Sequence, residues 1–387
     1  MPQCKNCGET VYEGAKFCPY CGNKLNVDNS FMPVKGGSDE DEDFVIEKCV
    51  LKKYKGHDRN IVVPDGVTYI DGAFKNCTDI ISVTLPNSVK VIDECSFKGC
   101  INLENINLPD SITYIGIDAF AECNKLFYIE NGIYYVDNWV ILCSGNVKQP
   151  IIRQGTRGIA SEAFGDTFGR SSITDIIIPN GVERICYCAF YCCKNLESVI
   201  IPDSVKYIGD EAFEECENLE NIILPNSAAE ISGSALYSCE KLHRRENGIT
   251  YIEKWVADCD ENATACIIKK GTKGIIDAAF AHRESLKSVI IPNGVKSIGE
   301  NAFYKCFSLS DLIIPDSVEY IGSQAFNATN ITSITIPAGI QDIEEFTFGG
   351  CKKLVEVTLP KSITNIDTGA FASCVSLTDI NFEGTKA

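Results

Sequence analysis

Histidine, tryptophan and methionine are scarce in this sequence: three, two and two respectively in 387 residues. His57, His243 and His282 stand in different segments, none with a Ser/Asp or Cys partner at a recognisable spacing, so no catalytic triad emerges. A glycine-rich phosphate loop, an HExxH pair, a dinucleotide fingerprint and a paired-carboxylate motif are likewise missing, and the expectation is a chain that is not an enzyme. No stretch approaches the ~18 consecutive apolar residues of a membrane span. The opening MPQCKNCGET lacks the apolar region of a secretory signal, which points to the cytoplasm, with the cell surface as the alternative. Positive charge is short too: 35 Lys and Arg face 53 Asp and Glu, a net charge of -18. An acidic body of this kind repels phosphate backbones, which excludes nucleic-acid binding through it.

What the sequence has in abundance is one motif. Asn195–Cys216 reads NLESVIIPDSVKYIGDEAFEEC, and degenerate copies of it fill nearly everything after residue 60. Leu196, Val199 and Ile201 have the spacing of a short strand with one buried face. Pro202 cannot extend a ladder and closes that strand, and Asp203-Ser204 supplies turn chemistry. Val205 and Ile208 point inward again, and Gly209 permits a bend. DEAF is expected to form one brief helical turn that carries Phe213 and Cys216 into the core. One copy buries too little apolar surface to offset the ordering of its backbone, so copies must stack and share one core.

The beat is set by Phe74, Phe97, Phe120, Phe164, Phe190, Phe213, Leu236, Phe280, Phe303, Phe326, Phe348 and Phe371, mostly 23 residues apart and once 22. Prolines at 64, 86, 109, 179, 202, 225, 292, 315, 337 and 360 keep the same period. This gives about twelve turns of 22–23 residues. The lines SVKYIGDEAFEEC, GVKSIGENAFYKC and SITYIGIDAFAEC resemble the BspA-like leucine-rich repeat family, over roughly residues 44–387. The resemblance implies a right-handed α/β-type leucine-rich repeat horseshoe of short parallel strands and brief helical turns, with its parallel sheet on the concave side. It implies a binding module for another protein or, among surface relatives, an adhesin or host-contact protein. A fold does not by itself transfer an activity.

Cysteine is plentiful at 21 residues, but Cys77, Cys100, Cys123, Cys193, Cys216, Cys239, Cys306, Cys351 and Cys374 all stand three residues after the column position. Equivalent buried positions of this kind read as packing rather than bridging, and so many free thiols favour a reducing compartment.

Ahead of the repeats, Cys4, Cys7, Cys18 and Cys21 make two CxxC knuckles within residues 1–25, followed by Gly8 and Gly22. Four thiolates at that spacing suit one tetrahedral, structural Zn2+ and leave no open position for catalysis; a redox CxxC is the other reading. The segment resembles a bacterial zinc ribbon. Residues 26–43 read as an acidic flexible linker, and residues 44–63 as an N-terminal cap hairpin on the repeat domain 44–387.

Two interruptions, about 127–152 and 243–268, match each other at an offset of 116 residues: IENGIYYVDNWVILC against RENGITYIEKWVADC. Asn131-Gly132 and Asn247-Gly248 are hairpin dipeptides, so each interruption is expected to be a hairpin insertion. Trp139 and Trp255 occupy equivalent places, read as packing for the hairpins, with carbohydrate or partner stacking as the other reading. The last outward strand position before the proline is Ile177, Ile200, Ile223, Ile290 and Ile313 in the middle turns and Thr84, Asn107, Thr335 and Thr358 toward the ends. These isoleucines form the candidate partner-binding stripe, bordered by Asp175, Ser198, Asn221, Ser288 and Asp311; β-branching that merely suits a strand is the competing explanation. LTDINFEGTKA brings no polar closing element, so its strand is expected to be an open edge where self-association could occur.

Overall fold

The computed structural model describes residues 43–165, 171–227 and 229–383. They fall into two compact units, Met1–Ser144 with Gly155–Gly165 and Gly145–Gln154 with Asp166–Ala387, each taken here over its described residues. Both are stacks of the same turn.

Every standard turn supplies two short strands to two parallel ladders. Ladder A takes the strand before the proline, as in Ser198–Ile200, and ladder B takes the Tyr-Ile strand, as in Tyr207–Ile208. In the second unit Asp175–Ile177, Ser198–Ile200 and Asn221–Ile223 pair in parallel in ladder A, while Arg184–Ile185, Tyr207–Ile208 and Glu230–Ile231 pair in ladder B. Alternation does the sorting: Val199 is buried between half-buried Ser198 and exposed Ile200.

The expected α/β horseshoe with helical turns is not what forms. The protein is a β-solenoid of about 14 turns with no α-helix among its described residues; a three-residue 3-10 helix, Glu240–Leu242, interrupts the strands. The DEAF segments show why. Glu211 and Glu215, on either side of Phe213, have φ of 55° and 58°, the left-handed region, which a right-handed helix cannot contain. The Phe213 N–H, which a helix would spend locally, instead donates to Ala235 O of the next turn at 2.8 Å, and Phe190 N–H does the same to Ala212 O at 2.7 Å. The corner is thus a third line of bonding between turns. Gly209 serves this close approach: its φ is not positive, but a Cβ there would lie 3.0 Å from Tyr187 N of the preceding turn.

The core is layered accordingly. Phe190 and Phe213 stack 4.8 Å apart and 3° from parallel, and Phe280, Phe303, Phe326, Phe348 and Phe371 continue in the same manner at 4.9–5.5 Å. In the first unit Phe74, Phe97 and Phe120 stack in the same way, and Tyr54 and Phe44 of the opening hairpin Phe44–Glu47/Val50–Tyr54 extend the line with tilted rings.

The column cysteines do more than fill space. The Sγ–H of Cys216 donates to Phe190 O at 3.3 Å and that of Cys306 to Phe280 O at 3.0 Å, each reaching back one turn.

Each interruption is a three-stranded antiparallel meander whose last strand re-enters ladder B. Tyr128–Glu130, Ile133–Val136 and Trp139–Cys143 pair in order, and Trp139–Cys143 then runs parallel to Gly158–Ile159. His243–Glu246, Ile249–Ile252 and Trp255–Cys259 repeat the arrangement onto Gly274–Ile275. Asn131 and Gly132, like Asn247 and Gly248, both have positive φ in the connecting turns. The meanders are therefore turns of the stack that lack a phenylalanine plug, and counting phenylalanines passes over them.

Candidate binding face and its electrostatics

The outward positions of ladder A in the second unit form two aliphatic rows. Ile177, Ile200 and Ile223 are mutual partners in register, and Ile151 joins them through a parallel bridge to Ile177. Ile267, Ile290 and Ile313 form the second row. Their side chains are exposed, from 38% for Ile200 to 77% for Ile313. Asp175, Ser198 and Asn221 flank the first row in register, and Ser288 and Asp311 the second.

Sequence reading missed Ile151 and Ile267 because the proline that marks the end of a ladder A strand is absent there; they are followed by Ile152-Arg153 and Ile268-Lys269. The 116-residue offset between the interruptions was the signal that aligned them.

The rows do not join into one stripe. Ile201 N–H donates to Ile223 O of the next strand at 2.9 Å, but the following equivalent, Leu224 N–H, donates to the carboxylate Oε2 of Glu253 at 3.0 Å. A side-chain acid from the meander turn thus replaces the missing neighbour and closes the sheet edge. In the first unit Asn107 plays the same part: its amide both accepts from Leu85 N–H and donates to Leu85 O. At the closed end a cavity of about 340 Å3 opens, lined by Ile200, Ile223, Leu242, Arg244, Glu220 and Glu253 among others.

Trp139 and Trp255 are buried, at 2% and 0% exposure, and offer no ring face to solvent. Each covers a glycine, Gly158 and Gly274, and Trp255 Nε1–H donates to Pro225 O at 3.2 Å. The zinc-ligand candidates Cys4, Cys7, Cys18 and Cys21 lie outside the described residues. The closing strand Asp379–Phe382 pairs on one side with Glu356–Leu359 and exposes Ile380 and Phe382.

Acid groups gather where the second meander rejoins ladder B. Burial, reinforced by the charge of Glu230, pushes the Asp277 carboxyl up to about 8. Glu230 is itself raised by burial although it accepts a hydrogen bond from Tyr320 OH at 3.1 Å, and burial lifts Glu344 to about 7. Asp277 Oδ1 accepts from Glu300 N–H at 2.7 Å. Its counterpart in the first interruption is Ser161, so the acid belongs to one branch point alone.

With that geometry in place, comparison with known proteins identifies the class. The family described as "BspA type Leucine rich repeat region (6 copies)" matches residues 53–167, 165–270 and 273–386, so the chain belongs to that family. A zinc-ribbon domain model matches residues 3–25. No curated protein sequence matches the chain. Among solved structures it is similar to a leucine rich cell surface protein from Faecalibacterium prausnitzii, at 22% identity over 89% of this chain and 93% of that one, TM-score 0.37. It is also similar to leucine-rich repeat proteins from Eubacterium ventriosum (22% identity, 86% and 80% covered, TM-score 0.36) and Bacteroides ovatus (24% identity, 91% and 94% covered, TM-score 0.28). The repeat family is characteristically non-catalytic, and the chain is a non-enzymatic repeat protein.

The cytoplasmic location expected from the missing signal and the abundant cysteine is not retained; one similar solved protein is named for the cell surface. The physical basis of that expectation fails as well. Most described thiols are buried, and burial pushes Cys239 and Cys306 up to about 12, so their reduced state does not record the compartment. Among the described residues no helix is long and apolar enough to cross a membrane.

Proposed function

We propose that this chain captures another protein on the aliphatic rows of ladder A, Ile151–Ile177–Ile200–Ile223 and Ile267–Ile290–Ile313, and does so at the cell surface, as an adhesin or host-contact protein would. The observation that carries the proposal is the repetition of one exposed isoleucine at seven positions in register, beside a polar border. An apolar row rimmed by polar groups is the composition of a protein-binding patch. A slot that asked only for β-branching would accept threonine throughout, as it does at Thr335 and Thr358.

The test is capture of cross-linked partners from contacting cells by the intact chain and by the double variant Ile200→Lys with Ile223→Lys. Because both side chains face out, the variant keeps its circular dichroism and melting temperature and loses the captured band. Unchanged capture would remove these rows as the site. A second copy of the chain would instead use the Asp379–Phe382 edge, and sedimentation separates the two, since the lysine variant leaves that edge intact.

The ribbon forms a second module in this reading, with one zinc held by Cys4, Cys7, Cys18 and Cys21. Four soft thiolates fit zinc's tetrahedral preference, and metal binding would supply the folding energy of so short a segment. Metal analysis of protein purified without chelator is expected to give one zinc per chain, and chelation is expected to leave the cooperative melt of the repeats unchanged. Zinc-free protein with four titratable ribbon thiols would refute the assignment.

A further inference from the structure

One pair of cysteines stands apart from the column. Cys259 ends the strand Trp255–Cys259 of ladder B, and Cys266 sits at the centre of Ala265–Ile267 of ladder A. Their Sγ atoms are 3.1 Å apart in the buried core, which leaves about 1 Å to the ~2.05 Å of a disulfide bond. Most column thiols behave differently: Cys216, Cys239 and Cys306 each donate to a phenylalanine carbonyl of the preceding turn, Cys306 at 3.0 Å to Phe280 O. In the first interruption Cys143 corresponds to Cys259, but Pro150 stands where Cys266 would be, so the pairing is built into the second meander alone. The connector between the two cysteines is short, and its turn is closed by Ala263 N–H donating to Asp260 O at 3.1 Å.

We propose that Cys259 and Cys266 are a disulfide site, oxidised by exchange with a low-molecular-weight disulfide, which ties ladder A to ladder B where the second meander ends. Beside the pair, Arg283 donates through Nε to Cys259 O at 2.9 Å and through Nη2 to Asp258 Oδ1 at 2.6 Å, so a fixed positive charge accompanies it. A Cys266 thiolate attacks one sulfur of oxidised glutathione, forms the mixed disulfide and releases one glutathione thiolate. Cys259 then attacks the Cys266 sulfur and releases the second. Two protein S–H bonds and one S–S bond are exchanged for one protein S–S bond and two glutathione S–H bonds, with the protein's protons passing to the leaving thiolates. Both thiols are nearly inaccessible in the finished fold, so the exchange belongs to folding, before the connector packs.

The experiment refolds the full chain with zinc, once in a mixture of oxidised and reduced glutathione and once in dithiothreitol. Free thiols are then alkylated in denaturant and peptides are mapped without reduction. The expected result is a Cys259–Cys266 linked peptide in the glutathione sample, Cys216 and Cys306 alkylated in both, and a higher melting temperature that dithiothreitol reverses. Cys259→Ser and Cys266→Ser should each abolish the linked peptide, make the remaining cysteine alkylatable and remove the gain in melting temperature, while refolding normally. Full alkylation of both cysteines in folded, glutathione-treated protein, or their linkage to other cysteines, would overturn the assignment.

Discussion

The protein is expected to lose stability as pH is raised from 5 to 8, and Asp277→Asn is expected to remove much of that loss. Asp277 ordinarily titrates at 3.8 and is pushed up to about 8 in the fold by burial and by the charges of Glu230, Glu300 and Asp210. Between those values the unfolded chain is ionised at this position while the folded chain is protonated. Folding therefore takes up a proton, and its stabilising share, full below the ordinary value, is lost as pH climbs through the folded one. Glu344, lifted to about 7, and Glu230 and Glu300, both raised by burial, act in the same direction. Each proton taken up is worth at most about 1.4 kcal/mol per pH unit. Glu220 is shifted the opposite way by its bond to Lys241, but both lie at the surface, where water screens the pair. Asparagine keeps the acceptor for Glu300 N–H at the same place and removes the ionisable group. Denaturant melts at half-unit pH intervals should give a shallower slope for the variant and the larger gain at pH 8. Parallel profiles for the two proteins would show that Asp277 does not titrate in this window.

The repeat was legible because a column repeats every physical requirement many times over. Phe213, Val205, Ile208 and Cys216 are buried as the pattern demanded, and a slip of one residue would have turned the alternation Ser198-Val199-Ile200 inside out. What escaped was local conformation at the corner. DEAFEEC has good helix formers, and nothing in its composition reveals that Glu211 and Glu215 adopt positive φ so that the Phe213 N–H can bond across to the next turn. That choice depends on the neighbouring copy, an interaction a single-turn reading does not contain. The face was legible in part for the same reason. Ile177, Ile200 and Ile223 announced themselves through the proline beat, whereas Ile151 and Ile267 lost that punctuation, and the break after Ile223 depends on Glu253, which lies 29 residues beyond the backbone group it caps. The Asp277 cluster was invisible, since Glu230, Asp277, Glu300 and Tyr320 come from four separate turns.

Gly274→Val is expected to be among the most damaging single substitutions in the array, about 3 kcal/mol or more, for a reason specific to the meanders. The first position of the ladder B strand is Tyr69, Val91, Tyr114, Arg184, Tyr207, Glu230, Ser297, Tyr320, Asp342 and Asn365 in ordinary turns, but Gly158 and Gly274 in the two turns that follow a tryptophan. Neither glycine has a positive φ, so the backbone does not demand glycine there. The ring does: a Cβ built on Gly274 would fall inside the van der Waals envelope of Trp255, and one on Gly158 inside that of Trp139. The indole cannot simply step aside, because Trp255 is fully buried and its Nε1–H is committed to Pro225 O at 3.2 Å. Displacing it breaks that bond and opens a void on its far side, so overpacking and cavity costs add. The interaction is therefore reciprocal. Trp255→Ala with Gly274→Tyr should restore the pairing of ordinary turns and cost less than the sum of the two single changes, with a coupling of about 0.5–3 kcal/mol. With Trp139→Phe as background, emission from Trp255 alone reports the ring's surroundings, and Gly274→Val should shift it to longer wavelength while lowering the denaturation midpoint. An unchanged midpoint and emission maximum would mean that the glycine is not there to make room for the ring.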